Sequence, residues 1–192
     1  MAQIKVLAFA GSLRQGSLNK KLVKQAAKGA EAAGAQVTYI DLSDFDIPVY
    51  DGDLEDKIVQ PEGGFRLKKL FDEHDGFLLS TPEYNSSIPG ALKNVIDWLS
   101  RQVEGERVYQ QFEGKVCVLM SASPGAFGAV RSATTTRAIL SHIQTIVIPP
   151  SVNLPHADQA FSEDGTLKDP KMQARVEKLG RQLVETIAKL RK

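Results

Sequence analysis

The sequence has little cysteine, no excess of one charge and no long apolar run, and each shortage excludes a class of protein. Cys117 is the single cysteine, so an intrachain disulfide is impossible, and the apolar run Val116–Met120 around it favours a buried, inert thiol. The 24 Lys and Arg residues nearly balance 23 Asp and Glu, and no basic patch with interleaved aromatics is present, which argues against nucleic acid as a partner. No apolar stretch approaches the ~20 residues of a membrane span, and the first residues lack the layout of a signal peptide. We therefore expect a cytoplasmic protein without a membrane span.

Metal and acid–base chemistry also find little support. The histidines, His74, His142 and His156, have neither metal-ligand spacing nor an adjacent nucleophile, so no metal site and no catalytic triad are predicted. The acidic residues from Asp51 to Asp56 predict an exposed loop. Four lysines at helical spacing predict a solvated helix face: Lys20, Lys21, Lys24 and Lys28.

What the chain does have is a regular alternation of strand and helix patterns within one predicted domain, residues 1–192. The β-rich runs are Ile4–Ala10, Gln36–Asp41, Gly76–Ser80, Lys115–Ser121 and Thr145–Ile148. The helical patterns are a stripe that Gly34 ends, the run 62–73, a helix that Pro89 begins, the run 129–142 and the run 170–190. This alternation predicts a parallel sheet with helices on both faces. The segment 149–169 shows little periodicity and is expected to wrap the surface.

The first strand runs directly into a loop suited to a phosphate, from Gly11 to Asn19. Gly11 and Gly16 allow the backbone to turn and to bring its N–H groups close to an anion. Arg14 supplies a charge, and the following helix points its positive end at the loop. The side-chain donors are Ser12, Ser17 and Asn19.

The same loop departs from two common nucleotide motifs. Ser17-Leu18 stand where a Walker A loop needs Lys-Ser/Thr, and Leu13 occupies the place of the second glycine in a dinucleotide fingerprint. The loop therefore predicts a site for a terminal phosphate monoester, held without magnesium. Ser17 or Asn19 could also serve as the helix cap.

Two further segments follow the third and fourth strands: Thr81–Asn94, which includes Pro82-Glu83-Tyr84-Asn85, and Ser121–Gly125. Together with Gly11–Asn19, their order and spacing resemble the NAD(P)H-dependent FMN reductases, a family that includes quinone, chromate and azo-dye reductases. The resemblance covers essentially the whole chain. It implies a flavodoxin-like three-layer sandwich with a five-stranded parallel sheet in the order 2-1-3-4-5 and FMN at the β1/β3 switch point.

The resemblance also implies noncovalent FMN, NAD(P)H as hydride donor, and a ping-pong transfer to a small-molecule acceptor such as a quinone, flavin, chromate or azo compound. No side chain is then needed as a covalent catalyst. The second segment would contact the isoalloxazine largely through backbone groups, although it could also be an ordinary strand-to-helix turn. The implied cofactor-binding residues are Ser12, Leu13, Arg14, Ser17, Leu18, Asn19, Pro82, Glu83, Tyr84, Asn85, Ser121, Ser123 and Gly125.

One departure from the family concerns the third segment, where Ala126-Phe127 stand before Gly128 and relatives usually have another glycine. Phe127 could form a pocket wall or part of a subunit contact. A homodimer or homotetramer is expected, packed through the helix that Pro89 begins and the helix at 129–142, with Trp98 and Phe127 offering apolar area.

Two alternatives remain open at this stage. A flavodoxin-type carrier would bind FMN without a hydride donor of its own, but such carriers are usually strongly acidic. A phosphate-handling enzyme or sensor without a flavin would need a base near Ser12 or Ser17, and the motif contains none.

Overall fold

The computed structural model describes residues 2–191 and places a parallel sheet at the centre of the molecule. The strand order is β2-β1-β3-β4-β5. A sixth strand lies on the same side of β4 as β5 and pairs with the C-terminal part of β4. The strands are β1 (Lys5–Ala10), β2 (Gln36–Tyr39), β3 (Gly76–Thr81), β4 (Val116–Ala122), β5 (Ile146–Val147) and β6 (Val152–Leu154). The predicted flavodoxin-like order is confirmed, and the sheet has one strand more than the five expected.

Helices cover both faces of this sheet, as predicted. They are α1 (Leu18–Ala32), α2 (Gly52–Ile58), α3 (Glu62–Glu73), α4 (Gly90–Leu99), α5 (Val130–His142), α6 (Ala157–Ala160) and α7 (Pro170–Leu190). In β1, Val6 and Ala8 pack with α1 and α7, whereas Leu7 and Phe9 pack with α3, α4 and α5. Successive side chains of a strand point to opposite faces, so one apolar strand supplies both cores.

The acidic stretch near residue 51 is a helix and not the exposed loop that was expected. Asp51 caps α2, and its carboxylate accepts a hydrogen bond from the Asp53 N–H at 3.0 Å. The pattern gave no sign of a helix because none of its residues is buried, so it has no apolar stripe. β2 also ends earlier than predicted, at Tyr39, because Asp41 caps a short 3-10 turn over Leu42–Asp44.

The segment 149–169 does more than wrap the surface. It contains β6 and α6, and it buries Val152, Leu154 and Ala157 in the core on the α1 side. The prediction missed this because only two apolar positions alternate in β6, a pattern too short to indicate a strand. Pairing of Met120 with Val152 and of Ala122 with Leu154 then ties the segment to β4.

Trp98 is a core residue, so the expectation that it offers apolar area to another subunit is wrong. Its side chain is 0% exposed, and its indole N–H donates to the Pro48 carbonyl at 2.8 Å. The Tyr50 ring packs against it edge-on, with ring centroids 5.1 Å apart. The chain after β2 folds over this side of α4, which helical periodicity alone could not show.

Lys20 also departs from the solvated face predicted for the lysines of α1. It is 6% exposed and forms an ion pair with Asp41, whereas Lys21, Lys24 and Lys28 are exposed as expected. Asp41 follows β2, and β2 lies beside β1 in the sheet, so the carboxylate meets the start of α1.

Helices α1 and α7 approach each other so closely that only glycine fits at the contact. A Cβ on Gly29 would lie 1.8 Å from the Glu177 carbonyl oxygen, and one on Gly180 would lie 2.0 Å from that of Ala26.

Cys117 lies in the fully buried β4, where burial raises the pKa of its thiol well above the usual range, in agreement with the predicted inert thiol. Among residues 2–191, no helix is both long and apolar enough to cross a membrane.

Candidate functional site

The loops that follow β1, β3 and β4 meet at the carboxyl edge of the sheet and form a cleft of about 100 Å³. In open α/β sheets, ligands bind in the crevice at this edge where the strand order reverses. The lining residues are Ser12, Arg14, Ser17, Leu18, Asn19, Pro82, Glu83, Tyr84, Ala122, Ser123 and Pro124.

Most of the residues predicted for the site line this cleft, and four lie elsewhere. Leu13 lines a neighbouring apolar pocket of about 240 Å³, together with Phe45, Ile47 and Val95 among others. Ser121 is fully buried, and its hydroxyl donates to the Gly128 carbonyl and accepts from the Asn153 amide. Asn85 and Gly125 lie in the same loops but are not part of the lining. Conversely, Ala122 and Pro124 line the cleft although they were not predicted as site residues. The one sequence feature that could have indicated them is their position on either side of Ser123.

The loop after β1 keeps its donors available. The Ser12 hydroxyl oxygen accepts from the Arg14 N–H, and the Ser17 hydroxyl oxygen accepts from the Lys20 N–H, both at 3.4 Å. Each hydroxyl therefore retains its own hydrogen for a ligand. Arg14 is exposed, and across residues 2–191 no ion pair engages its guanidinium. Ser17 is the cap of α1, whose first turn contains no acidic residue, so the positive end of that helix is not neutralised.

Asn19 joins the start of α1 to two strands from inside the protein. Its side-chain oxygen accepts from the Ser80 hydroxyl at 2.7 Å and from the Ala122 N–H at 2.9 Å, and its amide donates to the Ala122 carbonyl at 2.9 Å. One amide hydrogen is left for a ligand. The main effect of Asn19 in this structure is to tie the start of α1 to the ends of β3 and β4.

The loop after β3 is a tight turn with an uncommon backbone. Asn85 and Ser86 both have positive φ, 49° and 63°, and Tyr84 and Ser87 exchange two backbone hydrogen bonds of 3.1 Å. Two successive left-handed residues are the mark of a type I′ turn. The turn holds Tyr84 half exposed at the wall of the cleft.

The Glu83 side chain does not point into solvent but caps α5, a helix that is far from it in the sequence. Its carboxylate accepts from the backbone N–H groups of Arg131 and Ser132, at 3.1 and 3.4 Å, and from the Arg131 guanidinium at 2.8 Å. Desolvation alone would raise the pKa of Glu83, but these hydrogen bonds and the positive charge of Arg131 outweigh it and lower the pKa. The carboxylate therefore stays ionised and its charge is paired.

The loop after β4 is held by the segment that contains β6 and α6. The Ser123 N–H donates to the Leu154 carbonyl at 3.2 Å, and the Ser123 carbonyl accepts from the Ala157 N–H at 3.1 Å. Gly128 has a φ of 57°, and a Cβ there would lie 2.7 Å from the Asn153 backbone, so glycine is required. Phe127 is 67% exposed, and the Arg131 guanidinium lies 5.4 Å from its ring centroid.

Metal chemistry has no site of its own in residues 2–191, where no group of three or more His, Cys, Asp or Glu residues could hold an ion. On the side of α1, the cleft instead presents the Arg14 guanidinium without an ion pair among the described residues, the hydroxyl donors of Ser12 and Ser17, and the positive end of the helix. This donor set suits a dianionic phosphate beside a flat, partly apolar group.

Known proteins resemble the chain in sequence and in fold. A family model described as NADPH-dependent FMN reductase matches residues 4–159. An NAD(P)H-dependent FMN reductase of Pseudomonas aeruginosa is 36% identical over 169 residues, 88% of this chain and 86% of the relative. A quinone reductase of Escherichia coli is 35% identical over 146 residues, 76% of this chain and 74% of the relative. The flavoenzyme NAD(P)H:(acceptor) oxidoreductase FerB from Paracoccus denitrificans aligns with a TM-score of 0.81 at 32% identity, covering 97% of this chain and 98% of that one.

Proposed function

The chain belongs to the NADPH-dependent FMN reductase family, and we propose that it binds FMN in the cleft formed by the loops after β1, β3 and β4. The single observation that carries this assignment is the convergence of phosphate donors and a preorganised turn at one cleft. The chain is thus an FMN-dependent NAD(P)H oxidoreductase, and the proposal concerns which of its residues do the binding.

The residues at the cleft fit FMN. Arg14, Ser12 and Ser17 would hold the phosphate, with the first N–H groups of α1, because they offer charge and free hydrogen atoms. Pro82, Glu83 and Tyr84 would face the flavin ring through their backbone, with Ser123 at the opposite side of the cleft. When bound, FMN would supply the redox chemistry: it would take a hydride from NAD(P)H and, in a second half-reaction, pass two electrons to an acceptor such as a quinone, which takes up two protons to become a hydroquinone.

The protein's part in this chemistry is to bind and to orient. Tyr84 lines the cleft and is half exposed, so its ring gives a planar substrate an apolar wall. The Glu83 carboxylate is already paired with Arg131, so it adds no uncompensated negative charge to the cleft. No side chain at the cleft is proposed as a covalent catalyst.

Release of the flavin from denatured protein tests the cofactor. Chromatography should recover FMN, because the cleft offers one phosphate site and the chain has no dinucleotide fingerprint. Recovery of FAD, or failure to take up any flavin on reconstitution, would contradict the assignment.

A second measurement separates the reductase from a flavodoxin-type carrier. The purified protein should oxidise NADH or NADPH in steady state with a quinone as acceptor. Double-reciprocal plots of its initial rates should give parallel lines, the pattern of the expected ping-pong mechanism. A carrier would be reduced only by a separate reductase added to the assay.

The proposal also covers the oligomeric state of the protein and its location in the cell. We propose a homodimer or homotetramer contact on the face formed by α4 and α5, with the exposed Phe127 in the loop before α5. A groove between these helices, of about 420 Å³, contains Ile96, Ile139 and Tyr109 among its lining residues. One FMN-binding domain over residues 1–192 and a cytoplasmic location stay predictions from the sequence.

A further inference from the structure

We propose that the Glu83 carboxylate is a positioning residue that fastens the loop after β3 to the start of α5 and thereby holds the cleft in its FMN-binding form. The family resemblance gives this residue a backbone role, and its side chain has a separate task. The effect on FMN rests on the proposed function, whereas the fastening itself can be measured without any flavin.

The start of α5 lacks a cap of its own. Its N-cap residue is Ala129, which has no side-chain acceptor, and the first turn contains no acidic residue. The first N–H groups of a helix need acceptors from elsewhere. Glu83 meets this need because its carboxylate accepts hydrogen bonds from the N–H groups of Arg131 and Ser132. Glu83 lies 48 positions before Arg131 in the sequence.

The Glu83 contact is embedded in a larger junction. The Arg131 guanidinium binds the same carboxylate at 2.6 Å and also lies over the Phe127 ring, so it joins the loop after β3 to the loop after β4. Beside it, the hydroxyls of Thr81 and Ser132 are 3.1 Å apart in a fully buried contact. The Glu83 side chain is 10% exposed and that of Arg131 is 55% exposed, so the carboxylate is the protected member of the pair.

The loop needs such a fastening because its own backbone is held in an unfavourable conformation. Asn85 and Ser86 are both left-handed, which costs conformational free energy and persists only when the surroundings stabilise it. Within the turn, the two backbone hydrogen bonds between Tyr84 and Ser87 stabilise it from one side. Glu83, directly before the turn, stabilises it from the other side by its bonds to α5.

The experiment compares Glu83→Ala and Glu83→Gln with the wild type. Amide hydrogen exchange is measured on the flavin-free protein, and FMN affinity is measured by quenching of flavin fluorescence. In Glu83→Ala, exchange should accelerate at least tenfold both in residues 82–87 and in residues 130–133, and the FMN dissociation constant should rise about tenfold or more. Glu83→Gln keeps one acceptor oxygen but loses the charge, so both effects should be intermediate. The matched control is Glu73→Ala, which removes an exposed ion pair of α3 with Lys69 and should change neither readout.

Two results would overturn the proposal. Unchanged exchange at the start of α5 in both Glu83 variants would show that the carboxylate fastens nothing, whatever happens to FMN. Faster exchange with unaltered FMN affinity would show that the fastening is structural and does not shape the cleft. If Glu83→Ala does not fold, Glu83→Gln decides alone. If the wild type itself takes up no FMN, the proposed function fails, and the exchange result still tests the fastening.

Discussion

Arg14 is the residue whose contribution to FMN binding the structure makes easiest to measure. It lines the cleft, is exposed, and is not engaged by any ion pair in the described part of the chain. Arg14→Ala should weaken FMN binding by about 1.5–3 kcal/mol, the scale of a charge-assisted hydrogen bond. Arg14→Lys should recover only part of that loss, since a point charge lacks the planar fork. Titration of flavin fluorescence gives both values, with the exposed Lys28→Ala as control. Equal affinity of Arg14→Ala and wild type would remove Arg14 from the phosphate site.

Asp41 makes a prediction about acid stability, because its partner Lys20 is buried. Asp41→Asn should lower the free energy of unfolding by about 1–3 kcal/mol near neutral pH, between the values for exposed and buried ion pairs. Desolvation would raise the pKa of Asp41, but the hydrogen bonds from Lys20 and Ser43 lower it below the ordinary 3.8. A lowered pKa stabilises the fold above pH 3.8, and this stabilisation is lost as the pH falls through the lowered value.

Urea unfolding at several pH values checks this prediction for Asp41. The gap between wild type and Asp41→Asn should be constant from neutral pH to about pH 5 and should close in stronger acid. Glu31→Gln, at an exposed position of α1, is the control. A gap that stays constant down to the lowest pH would mean that the Asp41 charge does not contribute.

Among the elements, the α1–α7 contact is the tightest packing that a single substitution can test. Gly180→Ala would place a methyl group 2.0 Å from a carbonyl oxygen of α1, so the helices must separate. Overpacking of this kind typically costs about 1–3 kcal/mol. Thermal or urea unfolding measures the loss, and Gly52→Ala, where no atom lies within 4 Å of the new methyl, should be neutral or stabilising. Wild-type stability of Gly180→Ala would show that α7 can shift without cost.

The elements also show what the sequence could and could not predict. β1 and β3 could be predicted because each contains an unbroken apolar run, Val6–Ala10 and Phe77–Leu79, and α3 and α4 because their apolar residues recur on one side. β6 and the capping of α5 by Glu83 were not readable, since each depends on a partner far away in the sequence.

The same limit applied to the candidate site. Its loops could be located because they follow strands, and Ser12, Arg14 and Ser17 have local phosphate chemistry. The hydrogen bonds of Asn19 could not be predicted, because they arise only when α1, β3 and β4 are brought together. The bond that Ser121 accepts from Asn153 could not be predicted either, because it arises only when β6 pairs with β4.

At the scale of the whole molecule, the proposed assembly now depends on Phe127, since Trp98 is buried. We expect a homo-oligomer at micromolar concentration, and Phe127→Ser should weaken assembly and lower quinone reduction together, because an exposed aromatic side chain is a typical interface anchor. Light scattering and activity measured on the same samples check this. Leu190→Ser, at an exposed position near the end of α7, should affect neither. A fully active wild-type monomer would contradict the assembly.

The two margins of the sheet have a consequence for how the protein behaves when concentrated. One margin is β2, with four residues, and the other is divided between β5, with two, and β6, with three. A long, straight, unpaired strand is a template on which other chains add and grow into fibrils. Here neither margin is long enough, and the interruption between β5 and β6 breaks the second one in the middle. Concentrated native protein should therefore resist cross-β aggregation, and fibril seeding should begin only after partial unfolding has exposed the apolar interior strands.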